Sequence, residues 1–194
     1  MDPNPATMDF LPLIRKINSD PDAFGEIVTM FEGRLLRYVM RISGVSYEDA
    51  ENLVQDIFIK VYRNINEYDE RWDFSGWIFR IAHNATIDGF RKSKKEMGNV
   101  SLDDEEYDSI LDTVSDGNTP HKELRSKELK SCVQKAISHL PAEYREIILL
   151  RCIEGYSYEA ISDILKIPIG TASTLVNRAR KQLRTLLETF HCGQ

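Results

Sequence analysis

Ser173, Thr174, Asn177, Arg178, Arg180, Lys181 and Arg184 fall on one arc when residues 171–187 are turned at 100° per residue. Hydroxyls and an amide come first along this arc, and cations follow. Short hydroxyl and amide side chains suit hydrogen bonding to base edges, while guanidinium and ammonium groups suit phosphates. A second set, Arg80, Asn84, Asp88, Arg91 and Lys95, recurs every three or four residues further upstream, with Trp77 at its edge and Trp72 just before it. Amides and cations beside aromatic rings are what stacking on unpaired bases requires. Residue types alone weigh that reading equally against a half-buried tryptophan with solvated lysines around it.

Other chemistries find no matching pattern. The chain has no H-E-x-x-H, no glycine-rich phosphate loop, no Cys/His set at zinc spacing and no G-x-S-x-G. An enzyme is therefore not expected, nor a metal or other cofactor. Glu48, Asp49 and Glu51 could be grouped as a metal site, but a solvated helix face explains them better. The cysteines (Cys132, Cys152, Cys192) are odd in number and lack a C-x-x-C, which predicts reduced thiols and no disulfide.

The elements that must carry these residues are helical throughout. Asp20-Pro21 reads as an N-cap with proline at the first helical position, after which Phe24, Ile27, Val28, Phe31, Leu35, Tyr38 and Ile42 recur at helical spacing until Gly44. Ser46 to Asp49 resembles a capping box, followed by the stripe Ala50, Leu53, Val54, Ile57, Phe58 and Val61. A third helix is expected over 74–95. Pro120 and Pro141 each open another, the second ending near Gly155. From Ser157 a short capped helix meets the turn Ile167-Pro168-Ile169-Gly170, and the helix over 171–187 follows. A short helix, a tight turn and a longer basic helix make a helix-turn-helix, whose second helix enters the major groove. No segment shows a period-two strand pattern, so the fold class is all-α.

The chain's 194 residues carry a formal net charge of −6, which by itself argues against a polyanionic partner. That charge is blocked along the chain, with −5 over 1–71, +3 over 72–95, −8 over 96–121, balance over 122–165 and +4 over 166–194. The stretch 97–121 is read as a flexible acidic linker between a domain at 1–96 and a helix-turn-helix domain at 122–194. No aliphatic run approaches a spanning helix and the N-terminus shows no signal peptide, so a cytoplasmic protein without membrane insertion is expected.

The residues resemble the extracytoplasmic-function (ECF) sigma factors of bacterial RNA polymerase. The matching stretches are Asp22-Ala23-Phe24, Tyr47 to Phe58, Phe74 to Asn84, Ile87-Asp88 with Arg91, Leu140-Pro141, Tyr144-Arg145, and Pro168 to Thr171 followed by Arg178-Ala179-Arg180. They stand in the order of the family's second and fourth regions. The resemblance implies that Glu51, Asn52, Gln55 and Asp56 bind core polymerase at the clamp helices of its largest subunit. It implies that Trp77, Arg80, Asn84, Asp88 and Arg91 recognise and melt the −10 element without ATP. It further implies that Ser173, Thr174, Asn177, Arg178, Arg180, Lys181 and Arg184 read the −35 element as duplex. An anti-sigma factor, often membrane-anchored in this family, is an implied partner beside core polymerase and promoter DNA. The competing reading is a helix-turn-helix regulator that does not serve polymerase as a sigma subunit, but residues 1–95 lack the alternating strands of a receiver domain.

Overall fold

Three long helices build the N-terminal domain because each carries one apolar stripe. In the computed structural model, which describes residues 8–96 and 120–192, with side chains for 8–89 and 128–192, they are α2 (Phe24–Ser43), α3 (Tyr47–Asn64) and α4 (Phe74–Glu96). Ile27, Phe31, Leu35, Ala50, Ile57, Val61, Ile78 and Phe79 pack fully buried between them. A preceding helix, α1 (Leu11–Ser19), closes one side with Leu13, Ile14 and Ile17, and Phe10 just before it packs on Phe31 and Phe74. The sequence reading assigns no helix there.

Local chemistry sets the boundaries. Asp20 accepts from the Asp22 amide and opens a single 3₁₀ turn, Pro21–Ala23, so α2 proper starts at Phe24. Gly44 ends α2 in the left-handed region at φ 63°, its amide donating to the Met40 carbonyl. Gly44→Ala is expected to lower stability by about 1 kcal/mol, since a Cβ disfavours that conformation; thermal unfolding of the variant checks this, and an unchanged midpoint contradicts it. Ser46 accepts from the Asp49 amide at 3.2 Å and caps α3.

The C-terminal domain comprises α5 (Pro120–Ser138), α6 (Ala142–Ile148), α7 (Tyr158–Leu165) and α8 (Ile169–Thr189). A π-helical turn, Leu149–Ile153, prolongs α6 and buries Leu149 and Leu150. Ser157 caps α7 by accepting from the Ala160 amide. The turn of the helix-turn-helix is shorter than expected: Lys166 takes the left-handed C-cap at φ 53°, and Pro168 is already the N-cap of α8. Ile169 and Gly170 therefore belong to the helix, because proline fits a helix start and does not need two further residues to escape it.

Among the described residues there is no strand, and no helix is long and apolar enough to cross a membrane. The expected acidic linker lies outside the described residues over 97–119. One expectation is corrected. Cys132 on α5 and Cys192 beyond α8 form a disulfide with Cα atoms 5.6 Å apart, leaving Cys152 free and exposed. Counting and spacing cysteines cannot foresee that α5 packs along α8 and brings together thiols 60 residues apart.

Candidate nucleic-acid interface

Helix α8 turns Ala172, Val176 and Ala179 into the core and leaves Thr174, Asn177, Arg178, Arg180, Lys181 and Arg184 exposed. Ser173 is half-buried, and Thr174 donates its hydroxyl to the Gly170 carbonyl at 2.8 Å. The basic arc thus faces outward along its whole length. Behind it, Arg151 fixes the approach to α7, donating to the Tyr156 carbonyl at 2.7 Å with its guanidinium over the Tyr158 ring.

On α3 the four polar candidates Glu51, Asn52, Gln55 and Asp56 are all exposed on one face, opposite the buried Val54, Ile57 and Phe58. That face continues into two exposed apolar side chains, Ile59 and Tyr62. Sequence reasoning passed over both, although Ile59 stands four residues after Gln55 and off the buried stripe.

Helix α4 treats its candidates unequally. Its first turn is held by Asp73, whose carboxylate accepts from the Gly76 amide at 2.7 Å. Asn84 and Asp88 are exposed, and Arg80 is half-buried. Trp77 is in the core, only 7% exposed, its ring stacked on Phe74 and tilted against Tyr68, whereas Trp72 is 51% exposed. Of the alternatives left open by residue type, Trp77 takes the buried one in this conformation. The Arg91 side chain lies outside the described ones.

The face of α4 beside Arg80 meets the C-terminal domain. Arg80 Nη1 lies 3.3 Å from both carboxylate oxygens of Asp163 on α7. His83 Nδ1 lies 2.7 Å from Glu146 Oε1, and the Tyr38 hydroxyl donates to the same oxygen. Ser75 Oγ and the Tyr156 hydroxyl are 2.5 Å apart. Arg34 reaches Glu154 through Nε at 2.7 Å and Nη2 at 2.6 Å, and its guanidinium lies over the Phe31 and Phe79 rings. Phe79 stands edge-on between Tyr38 and Tyr156. Burial holds the Tyr38 hydroxyl well above the ordinary phenol range, reinforced by the neighbouring Glu146 carboxylate. Tyr156 is raised for the same first reason. Both phenols therefore stay protonated at neutral pH, and Tyr38 donates to Glu146.

Comparison with known proteins places these features in one lineage. Residues 27–96 match the Sigma-70 region 2 family and residues 130–183 match Sigma-70, region 4. The ECF RNA polymerase sigma factor SigW of Bacillus subtilis is 36% identical over 170 residues, covering 87% of this chain and 90% of its own. The chain belongs to the ECF sigma factors. The ECF RNA polymerase sigma-E factor of Haemophilus influenzae is 32% identical over 87% of this sigma factor and 89% of its own length. Among solved structures, the sigma factor RpoE of Bartonella quintana, in complex with the anti-sigma factor NepR, aligns at TM-score 0.64 and 26% identity, covering 85% of this sigma factor and 96% of that chain. CnrH, in complex with the cytosolic domain of CnrY, aligns at TM-score 0.63 and 23% identity, covering 92% and 96%, and supports the fold. The alternative of a helix-turn-helix regulator unrelated to polymerase is set aside, because region 2 and region 4 both match in one chain.

Proposed function

We propose that this ECF sigma factor docks on core RNA polymerase through α3, reads and melts the −10 element with α4, and reads the −35 element with α8. The observation that carries this is the pairing of an outward basic arc on α8 with the matched region 2 helices in one chain. Residues 1–96 form the polymerase-binding and −10 domain, 97–121 the acidic linker, and 122–194 the −35 domain. Glu51, Asn52, Gln55 and Asp56 contact polymerase, with Ile59 and Tyr62 supplying apolar area beside them; an acidic face suits a basic partner. Arg80, Asn84, Asp88 and Arg91 meet the −10 element, with Trp77 packed behind them in the core. Ser173, Thr174 and Asn177 stand nearest the base edges at −35, and Arg178, Arg180, Lys181 and Arg184 meet phosphates. Holding an unpaired base in a pocket offsets the few kcal/mol that unpairing costs, which is why melting needs no ATP.

The protein works in the cytoplasm and is held inactive by an anti-sigma factor. Support for such a partner comes from the RpoE structure, where the sigma factor is bound to one. The test adds the purified chain to core polymerase and a mixed promoter library and scores run-off transcripts. Promoter-dependent initiation is expected, and its absence together with failure to co-elute with core refutes the reading. Asn84→Ala with Asp88→Ala is expected to reduce open-complex formation at least about tenfold, at 1–3 kcal/mol for each lost base contact, while co-elution with core persists. Loss of co-elution places the −10 face elsewhere.

A further inference from the structure

Beyond α8 the chain folds back on α5. His191 takes a left-handed conformation at φ 56°, which is unfavourable for a residue with a Cβ, and the reversal carries Cys192 to Cys132. Phe190 is held beneath the turn. Its ring stands edge-on to His139 with centroids 5.1 Å apart, Lys135 Nζ lies 5.7 Å from its centre, and its carbonyl is 3.7 Å from Cys132 Sγ. Little else secures this part of α5. Among its described side chains only Ala136 and Ile137 are buried, Val133 leans on the core, and Leu129 is 45% exposed. The tie at Cys132 therefore sits one turn upstream of Ala136, where the packing runs out. At its other end it closes the last turns of α8, the helix whose Lys181 and Arg184 face outward.

We propose that Cys132 and Cys192 form a reversible thiol-oxidation site, closed by hydroperoxides and opened by dithiols, whose disulfide form steadies α5 and the end of α8 and so strengthens −35 reading. The inference rests on the −35 role and the cytoplasmic setting proposed above. In a reducing compartment a disulfide is as a rule transient and serves catalysis or sensing; a bond that ties two helices of a DNA-reading domain suits the second. Both sulfur-bearing residues are half-buried, so small reagents reach them, and Cys192 stands on a turn after the last helix, so the pair parts without breaking one. On closure, one thiolate attacks the hydroxyl oxygen of the peroxide and becomes a sulfenic acid. The O–O bond breaks, and the departing oxygen leaves as alcohol or water with the first thiol's proton. The second thiolate then attacks the sulfenic sulfur, forming the S–S bond and expelling hydroxide, which takes the second proton. Each sulfur gives up one electron and the peroxide gains two. On opening, a dithiol passes through a mixed disulfide and departs as its own cyclic disulfide, returning both thiols. Cys152, exposed and with its Sγ 3.9 Å from the Arg180 guanidinium, stays outside the pair.

The test uses the full-length chain carrying Cys152→Ser, which removes the third thiol. It is treated with stoichiometric hydrogen peroxide and then dithiothreitol, and its thiols are followed by alkylation and mass spectrometry. Cys132 and Cys192 are expected to be blocked after peroxide and both alkylated after dithiothreitol, over repeated cycles. Hydrogen exchange is expected to quicken over residues 128–138 and the last turn of α8 in the reduced form, with α7 unchanged. Run-off initiation is then titrated with each form, freed of reagent, at fixed core polymerase. The oxidised form is expected to half-saturate at about fivefold lower concentration, the factor that ordering one backbone residue in advance is worth. Cys132→Ser and Cys192→Ser, each verified as folded by helical circular dichroism, behave as the reduced form with or without peroxide. The switch is overturned if peroxide leaves both thiols free, if exchange over α5 is the same in both forms, or if the oxidised form initiates no better than the reduced one. No initiation from either form refutes the sigma function, and the gain at −35 with it.

Discussion

Reducing the Cys132–Cys192 disulfide, or replacing Cys192 with Ser, lowers the unfolding free energy of the C-terminal domain by as much as about 4 kcal/mol. The bond closes a loop of 60 residues that contains the entire helix-turn-helix. A cross-link of that span removes loop-closure entropy from the unfolded chain, and the chain-entropy estimate for this length lies near that value. The domain is small, so a loss of this size is a large share of its stability. Guanidinium unfolding followed by circular dichroism, with and without reductant, measures it. Three coincident curves for the oxidised, reduced and Cys192→Ser proteins would refute the expectation. A cytosol keeps thiols reduced, so the same measurement shows how firmly α5 holds α8 without the covalent tie.

Glu146→Ala is expected to cost about 3 kcal/mol, because it strips a buried Tyr38 hydroxyl and the His83 ring of their shared acceptor. Tyr38 is 2% exposed and, with its phenol raised far above the usual range by burial, cannot escape the problem by ionising. The Tyr38→Phe background supplies the decisive control. Removing the orphaned hydroxyl as well should recover part of the loss, since a buried pair deleted together costs less than one partner deleted alone. Thermal unfolding of the four proteins in this cycle yields the coupling; strict additivity would mean that the contact carries no energy of its own.

Local rules were enough for much of this molecule. Gly44, Ser46, Pro120, Pro141 and Ser157 mark helix ends in the sequence and mark them in the structure, because each acts through its own backbone geometry or a hydrogen bond within three or four residues. The outward arc of α8 and the exposed polar face of α3 follow equally from the helical period. Helix α1 escaped because it is only nine residues long and has no side-chain N-cap. The interdomain partners escaped for a different reason. Arg34 and Glu154 are 120 residues apart, Tyr38 and Glu146 are 108 apart, and Arg80 and Asp163 are 83 apart. Each carboxylate looks locally like one more solvated acid. Only packing α6 and α7 against α2 and α4 distinguishes Glu146, at 7% exposure, from Glu143, which remains exposed. The disulfide was illegible on the same ground.

The two tryptophans give the protein a built-in optical asymmetry. Both lie within six residues of one another at the start of α4, and the C-terminal domain has none. Trp77, stacked on Phe74, emits from an apolar setting, and Trp72 emits from water. Intrinsic fluorescence excited at the red edge of protein absorption thus reports the N-terminal domain alone. A chain whose helix-turn-helix has melted while α1–α4 stay folded keeps its native blue component. Quenching of the red component without a change in the blue one marks something binding at the loop before α4.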